Sequence, residues 1–124
     1  MNKITAFIGS LRKNGNTTAI VNKIIEGLTI AMVHVEIVLL SDYRISGCMG
    51  YCSCRHTGKC VLEDNMTFIY PMLEQSGGYI FATPAYIYNV TSDMKALLDR
   101  MFCYYSFRRA DGQAGLGNQK QPFL

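Results

Sequence analysis

A chain of 124 residues, 49% hydrophobic and 17% charged, suits one globular domain with a real core. The formal charge of +3 is mild, and lysine and arginine form no run longer than Arg108-Arg109, which argues against nucleic acid as a partner. No apolar stretch is long enough to span a bilayer, and the N-terminus enters a strand pattern without a signal peptide, so the expected setting is cytoplasmic and away from membranes.

Ile4, Ala6 and Ile8 alternate with Thr5 and Phe7 as in a short buried strand. The turn that follows, Gly9-Ser10-Leu11-Arg12-Lys13-Asn14-Gly15-Asn16-Thr17-Thr18, leads into an amphipathic stretch. Backbone N–H groups of a glycine-containing turn and of the next helix's first turn converge on one point with the helix dipole behind them, which suits an anion. Short hydroxyl and amide side chains add donors, and Arg12 can add a charge-assisted bond. The Walker pattern fails, because Gly9 and Gly15 are one residue too far apart and Asn16 stands where lysine would be. The dinucleotide fingerprint G-x-G-x-x-G fails too. A mononucleotide phosphate therefore fits better than a triphosphate or dinucleotide, and a polar, well-capped strand-to-helix turn without a ligand is the alternative.

From Thr17 to about Met32, Ile20, Val21, Ile24, Ile25 and Leu28 recur at helical spacing. Val35 to Leu40 reads as a second strand from its β-branched content. A loop rich in glycine, serine and cysteine runs from Ser41 to about Glu63. Asp64 or Asn65 then caps a helical segment with Met66, Ile69, Tyr70 and Leu73 on one face, which Pro71 should kink or loosen, and Gly77-Gly78 ends it. Tyr79 to Thr83 is apolar enough for a strand covered on both faces. Thr91 or Ser92 opens the strongest helix, with Met94, Leu97, Leu98, Met101, Phe102 and Tyr105 at i, i+3, i+4 spacing. Beyond Tyr105 the pattern dissolves into Gly112, Gly115 and Gly117, and Lys120 to Leu124 resembles the approach to a further strand.

Alternating strands and helices imply right-handed βαβ units and a parallel sheet, with the ligand outside the carboxyl ends of the strands. Two loops leave such ends, Gly9 to Thr18 and Pro84 to Val90, and they should face each other. Pro84 fixes a turn in the second loop, which presents Tyr86, Ile87 and Tyr88 as a surface for a flat ring system; covering the end of the sheet is the alternative role for those tyrosines.

Three stretches, G-S-L-R-K-N-G-N-T at Gly9 to Thr17, G-C-M-G-Y-C-S-C-R-H-T-G-K-C-V-L-E-D-N-M at Gly47 to Met66 and T-P-A-Y-I-Y-N-V-T-S-D-M-K-A-L-L-D-R at Thr83 to Arg100, occur in an order that resembles the flavodoxin-like NAD(P)H-dependent FMN reductases, and among them the iron-sulfur flavoproteins. The resemblance implies an α/β three-layer sandwich with parallel strands in the order 2-1-3-4-5. Residues 1–124 would form one FMN-binding domain of that type, cut short after the third strand and helix, with a fourth strand due near Phe123. It implies that Ser10, Arg12, Asn14, Asn16, Thr17 and Thr18 hold the FMN phosphate. It implies also that Pro84, Ala85, Tyr86, Ile87 and Asn89 lie along the isoalloxazine. NAD(P)H would donate hydride to the flavin, and a small-molecule acceptor would take the electrons, so no protein nucleophile or base is required. His34 and His56 read as solvated imidazoles.

Five cysteines in a cytoplasmic chain are metal ligands, redox thiols or small buried residues more readily than a disulfide framework. Cys48, Cys52, Cys54 and Cys60 lie close enough in sequence to ligate an iron-sulfur cluster or a zinc ion, or to remain free thiols; Cys103 reads as core. The iron-sulfur flavoproteins it resembles carry C-x-x-C-x-x-C and a later cysteine. Cys48, Cys54 and Cys60 keep that register, Tyr51 occupies the second position, and Cys52 is displaced by one.

Three functions follow: an FMN-dependent NAD(P)H oxidoreductase acting on a flavin, quinone or similar acceptor; an electron carrier, disfavoured by the mildly basic charge; and a non-catalytic or incomplete metal-binding domain. With no fourth strand the apolar third strand would be an open edge, so a homo-oligomer, or a longer gene product of which this is a fragment, is expected.

Overall fold

The structure, a computed structural model, describes residues 3–12, 14–51, 54–57 and 59–106. Lys13, Cys52, the side chains of His56 and Tyr105, and the glycine-rich tail with the strand expected near Phe123 lie outside the described residues.

Strand β1 (Lys3–Ile8) is the middle of a three-stranded parallel sheet, between β2 (His34–Leu39) and β3 (Gly78–Ala82), in the order β2-β1-β3. Phe7 stands opposite Val38 on one side and Phe81 on the other. The alternation in β1 separates two buried faces rather than core from solvent: Ala6 and Ile8 point to one, Thr5 and Phe7 to the other, and all four are fully buried. The Thr5 hydroxyl is accommodated there by a hydrogen bond to Ser76 Oγ, which also donates to Met72 O at 2.7 Å.

Helix α1 (Asn16–Ile30) covers the Ala6 face, where Val21 is buried with Ala6 and Ile8, and Ile25, Val35, Leu39, Ile80 and Ala82 pack against that cluster. It ends two residues before the expected Met32, in a Schellman motif with Val33 N–H on Leu28 O at 2.9 Å, Met32 N–H on Thr29 O at 3.0 Å and Met32 at φ 63°. Ile20 and Ile24 of the expected apolar stripe are exposed, so that stripe is wider than the sheet beneath it.

The Phe7 face carries the larger core, formed with helices α3 (Met66–Gln75), α4 (Ser92–Arg100) and α5 (Phe102–Ser106) and a short α2 (Cys54–Thr57) inside the cysteine loop. Met66, Ile69, Leu73, Met94, Leu97 and Met101 fill it. Helix α3 continues through Pro71. The helix expected to run unbroken to Tyr105 divides at Met101, so Leu98 turns outward while Arg100, Cys103 and Tyr104 are buried. Among the described residues β3 pairs only with β1, and no helix is long and apolar enough to cross a membrane.

Candidate functional site

The two loops expected to face each other are tied together where they leave the sheet. Gly9 N–H bonds Ala82 O at 2.8 Å, and Thr91 Oγ1 donates to Gly9 O at 2.6 Å. The same Thr91 oxygen accepts the Met94 N–H at 3.3 Å and so caps α4, while Thr91 N–H bonds Thr83 Oγ1 at 3.1 Å. Gly9 is required by this closeness: a Cβ there would lie 2.8 Å from Thr91 Oγ1 and 3.0 Å from Met94 Cβ. Sequence reasoning placed Thr91 only as a cap and gave Thr83 no part; a threonine at each end of a loop between strand and helix was the available signal.

Within the first loop, Ser10 is buried and its Oγ accepts the Arg12 N–H at 3.1 Å, which folds the turn back on itself. Arg12, Asn14 and Asn16 are exposed, and Thr17 and Thr18 are half-buried in the first turn of α1. Gly15 is the N-cap and supplies no side-chain bond, and the first turn carries no acidic residue. The positive end of the helix dipole is therefore not neutralised by the chain itself. Thr18 Oγ1 is buried and has no hydrogen-bond partner among the described residues. A buried orphan hydroxyl costs about 1–3 kcal/mol, which an incoming phosphate oxygen would offset.

The second loop is a tight hairpin. Tyr86 N–H bonds Asn89 O at 2.8 Å and Asn89 N–H bonds Tyr86 O at 3.1 Å, with Ile87 at φ 49° and Tyr88 at φ 62° between them. Two consecutive left-handed residues define a type I′ turn, a geometry that favours Asn-Gly and strains a β-branched residue. Pro84 is half-buried, whereas Ala85, Tyr86, Ile87, Tyr88 and Asn89 are exposed, so an apolar and aromatic surface stands beside the anion turn. Ile87 is 91% exposed, so Ile87→Asn loses no packing and relieves the left-handed strain. Urea denaturation of that variant should show a gain of about 1 kcal/mol.

The cysteine loop is held at its stem. Asp64 Oδ2 accepts from Ser46 N–H at 2.9 Å and from Arg100 Nη1 at 2.5 Å, while its Oδ1 takes the Met66 N–H at 3.0 Å at the start of α3. Arg100 also donates to Ser46 O at 3.0 Å and Leu62 O at 3.3 Å, and Asn65 Oδ1 accepts from Arg44 N–H at 2.7 Å. Burial pulls the Asp64 carboxyl upward, but the bonds from Arg100, Ser46 and Met66 outweigh it and hold the group below its ordinary value of 3.8. Sequence reasoning missed Arg100; its signal was a charge at i+3 from Leu97 on the apolar stripe.

Between these fixed ends Cys48, Cys54 and Cys60 line one pocket with Tyr51, Met49, Val61, Leu62 and Phe102. They are soft sulfur donors, but among the described residues no three histidine, cysteine, aspartate or glutamate side chains gather as a metal site. The space there is about 20 Å³, enough for a water-sized group and too small for a metal cluster. Cys103 lies elsewhere: it shares a cavity of about 260 Å³ with Cys60, Tyr70, Glu74 and Tyr104, and burial raises its thiol to about 11.

Residues 2–117 match the NADPH-dependent FMN reductase family. The chain belongs to that family. It is similar to iron-sulfur flavoproteins: 35% identical over 102 residues to one from Archaeoglobus fulgidus, covering 82% of this chain and 46% of the relative. It is 33% identical over 98 residues to one from Methanosarcina thermophila, covering 79% and 51%. It is 37% identical over 101 residues to one from Clostridioides difficile, covering 78% and 44%. The chain thus spans about half the length of the curated relatives it matches. As an FMN reductase family flavoprotein it is α/β and flavodoxin-like, as the motif order implied.

Proposed function

We propose that the protein is an FMN-dependent NAD(P)H oxidoreductase that passes electrons to a small acceptor such as a flavin or quinone. The observation that carries this reading is the junction at Gly9, where an uncapped helix N-terminus with an orphan Thr18 hydroxyl stands beside an exposed aromatic hairpin. Thr17 and Thr18, the first N–H groups of α1, and the side chains of Arg12, Asn14 and Asn16 would hold the FMN phosphate, and Ser10 would keep the turn in shape. Pro84, Ala85, Tyr86, Ile87 and Asn89 would lie along the ring, excluding water from one side of it. Bound FMN would supply hydride acceptance and onward electron transfer. The residues bind and orient; none is assigned a proton to move.

Anaerobic addition of FMN to the purified protein should quench flavin fluorescence, and NADPH should then bleach the yellow band. Protein that takes up no FMN would instead support the non-catalytic, metal-binding alternative. Thr18→Val separates ligand from scaffold. Removing an orphan hydroxyl should leave urea stability unchanged or higher, while FMN binds roughly tenfold more weakly for the loss of one charge-assisted bond.

The printed names of the relatives, together with three thiols on one pocket wall, support a second element of the proposal: an iron-sulfur centre in the cysteine loop. Cysteines of the Cys48 to Cys60 loop would hold it, Cys52 lying outside the described residues, and it would supply one-electron transfer.

A further inference from the structure

We infer that the cavity of about 260 Å³ between α3 and α5 binds a small aromatic acid, a flat ring with an anionic group at one end and an N–H donor at the other, as in an aminobenzoate. None of its wall comes from the two loops proposed to hold FMN, so it is a separate site. One water occupies about 30 Å³, so the space far exceeds a packing void.

Helix α3 has two working faces. Met66, Ile69 and Leu73 enter the core, while Thr67, Tyr70, Pro71 and Glu74 recur at i, i+3, i+4 and i+7 along the cavity. Pro71 has no N–H to return to the Thr67 carbonyl one turn earlier, so the helix leaves a backbone acceptor without its helical donor on this stripe.

The aromatic part of the wall is fixed before a ligand arrives. Tyr70 donates its hydroxyl to Arg100 O at 2.8 Å, Tyr104 donates to Tyr70 O at 3.4 Å, and the two rings meet edge to face at 5.8 Å and 75°. With both hydroxyls engaged, the tyrosines offer ring surface, which Leu62, Pro71 and Cys103 extend. Burial first, and then the Glu74 carboxylate, push the Tyr104 phenol above its ordinary value, which places Glu74 beside that surface. Lys59 brings the opposite charge from the cysteine loop, and neither it nor Glu74 makes an ion pair with a described residue. An apolar wall with a few polar groups of this kind is how small-ligand sites are built. The ammonium of Lys59 would take the acid, and Glu74 with the Thr67 carbonyl would take the N–H donor.

Calorimetric titration of the purified protein, with and without FMN, should show saturable binding of para-aminobenzoate. Benzoate, lacking the amine, and aniline, lacking the carboxylate, should each bind roughly tenfold more weakly. Lys59→Gln should weaken para-aminobenzoate roughly tenfold, and Glu74→Gln should remove most of its advantage over benzoate. Thr67→Trp, made at an exposed position, should fill the cavity and abolish binding, with a circular dichroism melt reporting that the fold is intact. Should that variant melt well below the parent, the Lys59 and Glu74 variants decide. No saturable heat from para-aminobenzoate, binding that survives in Thr67→Trp, or affinities indifferent to Lys59→Gln and Glu74→Gln overturn the inference. FMN uptake does not enter these outcomes, so their failure leaves the flavin reading in place.

Discussion

Asp64→Ala should lower stability by about 3–5 kcal/mol in urea denaturation, the usual cost of leaving half of a buried ion pair behind. The Arg100 guanidinium has no solvent exposure, and Asp64 is its only charged partner among the described residues. Asp64 also receives N–H groups from Ser46 and Met66, so the alanine variant frees the cysteine-loop stem and the start of α3 together. Against a total of about 5–15 kcal/mol for a domain, this is the largest single-residue effect expected here. Asp64→Asn keeps the shape and loses the charge, and should fall between parent and alanine variant. The same carboxylate sets a pH dependence. Its folded-state value lies below the ordinary 3.8, so its contribution is fully present above that value and is lost as pH falls through the folded-state value. The acid limb of a stability profile below about pH 4 should flatten in Asp64→Asn.

Gly9→Ala should have the second largest effect, acting on both stability and flavin binding. The added methyl would meet Thr91 Oγ1 at 2.8 Å and Met94 Cβ at 3.0 Å, and neither is the free end of a flexible chain. Relief requires α4 to retreat from β1, which breaks the Thr91 bond to Gly9 O and separates the two ligand loops. Overpacking of this kind costs about 1–3 kcal/mol, and FMN affinity should fall more than roughly tenfold because preorganisation is lost as well. Gly27→Ala is the control. Nothing among the described residues lies within 4 Å of a Cβ at Gly27, so that variant should gain about 1 kcal/mol by helix propensity and bind FMN as the parent does.

Much of the architecture could be read from local pattern. The three strands and the helices between them appear within about two residues of their periodic segments, and Thr91 caps α4 as its residue type implied. What local pattern could not supply were contacts made across long separations. The break at Met101 accompanies a charge buried through Asp64, thirty-six residues earlier, and Arg100 by composition belongs outside. The Tyr86–Asn89 hairpin was hidden for a different reason: Ile87 and Tyr88 stand where turn chemistry calls for asparagine and glycine, so its signature is absent from the sequence. In the candidate site, the glycines and hydroxyls of the first turn marked the anion position, but the junction of the two loops depends on Thr91 reaching back to Gly9 across eighty-two residues.

The unequal cores on the two sides of the sheet have a consequence for ligand response. Helix α1 rests on one fully buried side chain of its own, Val21, whereas the opposite layer contributes many. Local opening follows buried apolar contact, so α1 is cheaper to detach than α3 or α4 of the opposite layer, each of which buries three side chains. Its first turn is also where the phosphate would be held. Occupancy of that turn would therefore tighten a lightly anchored helix, making cofactor capture and completion of the native packing a single thermodynamic event.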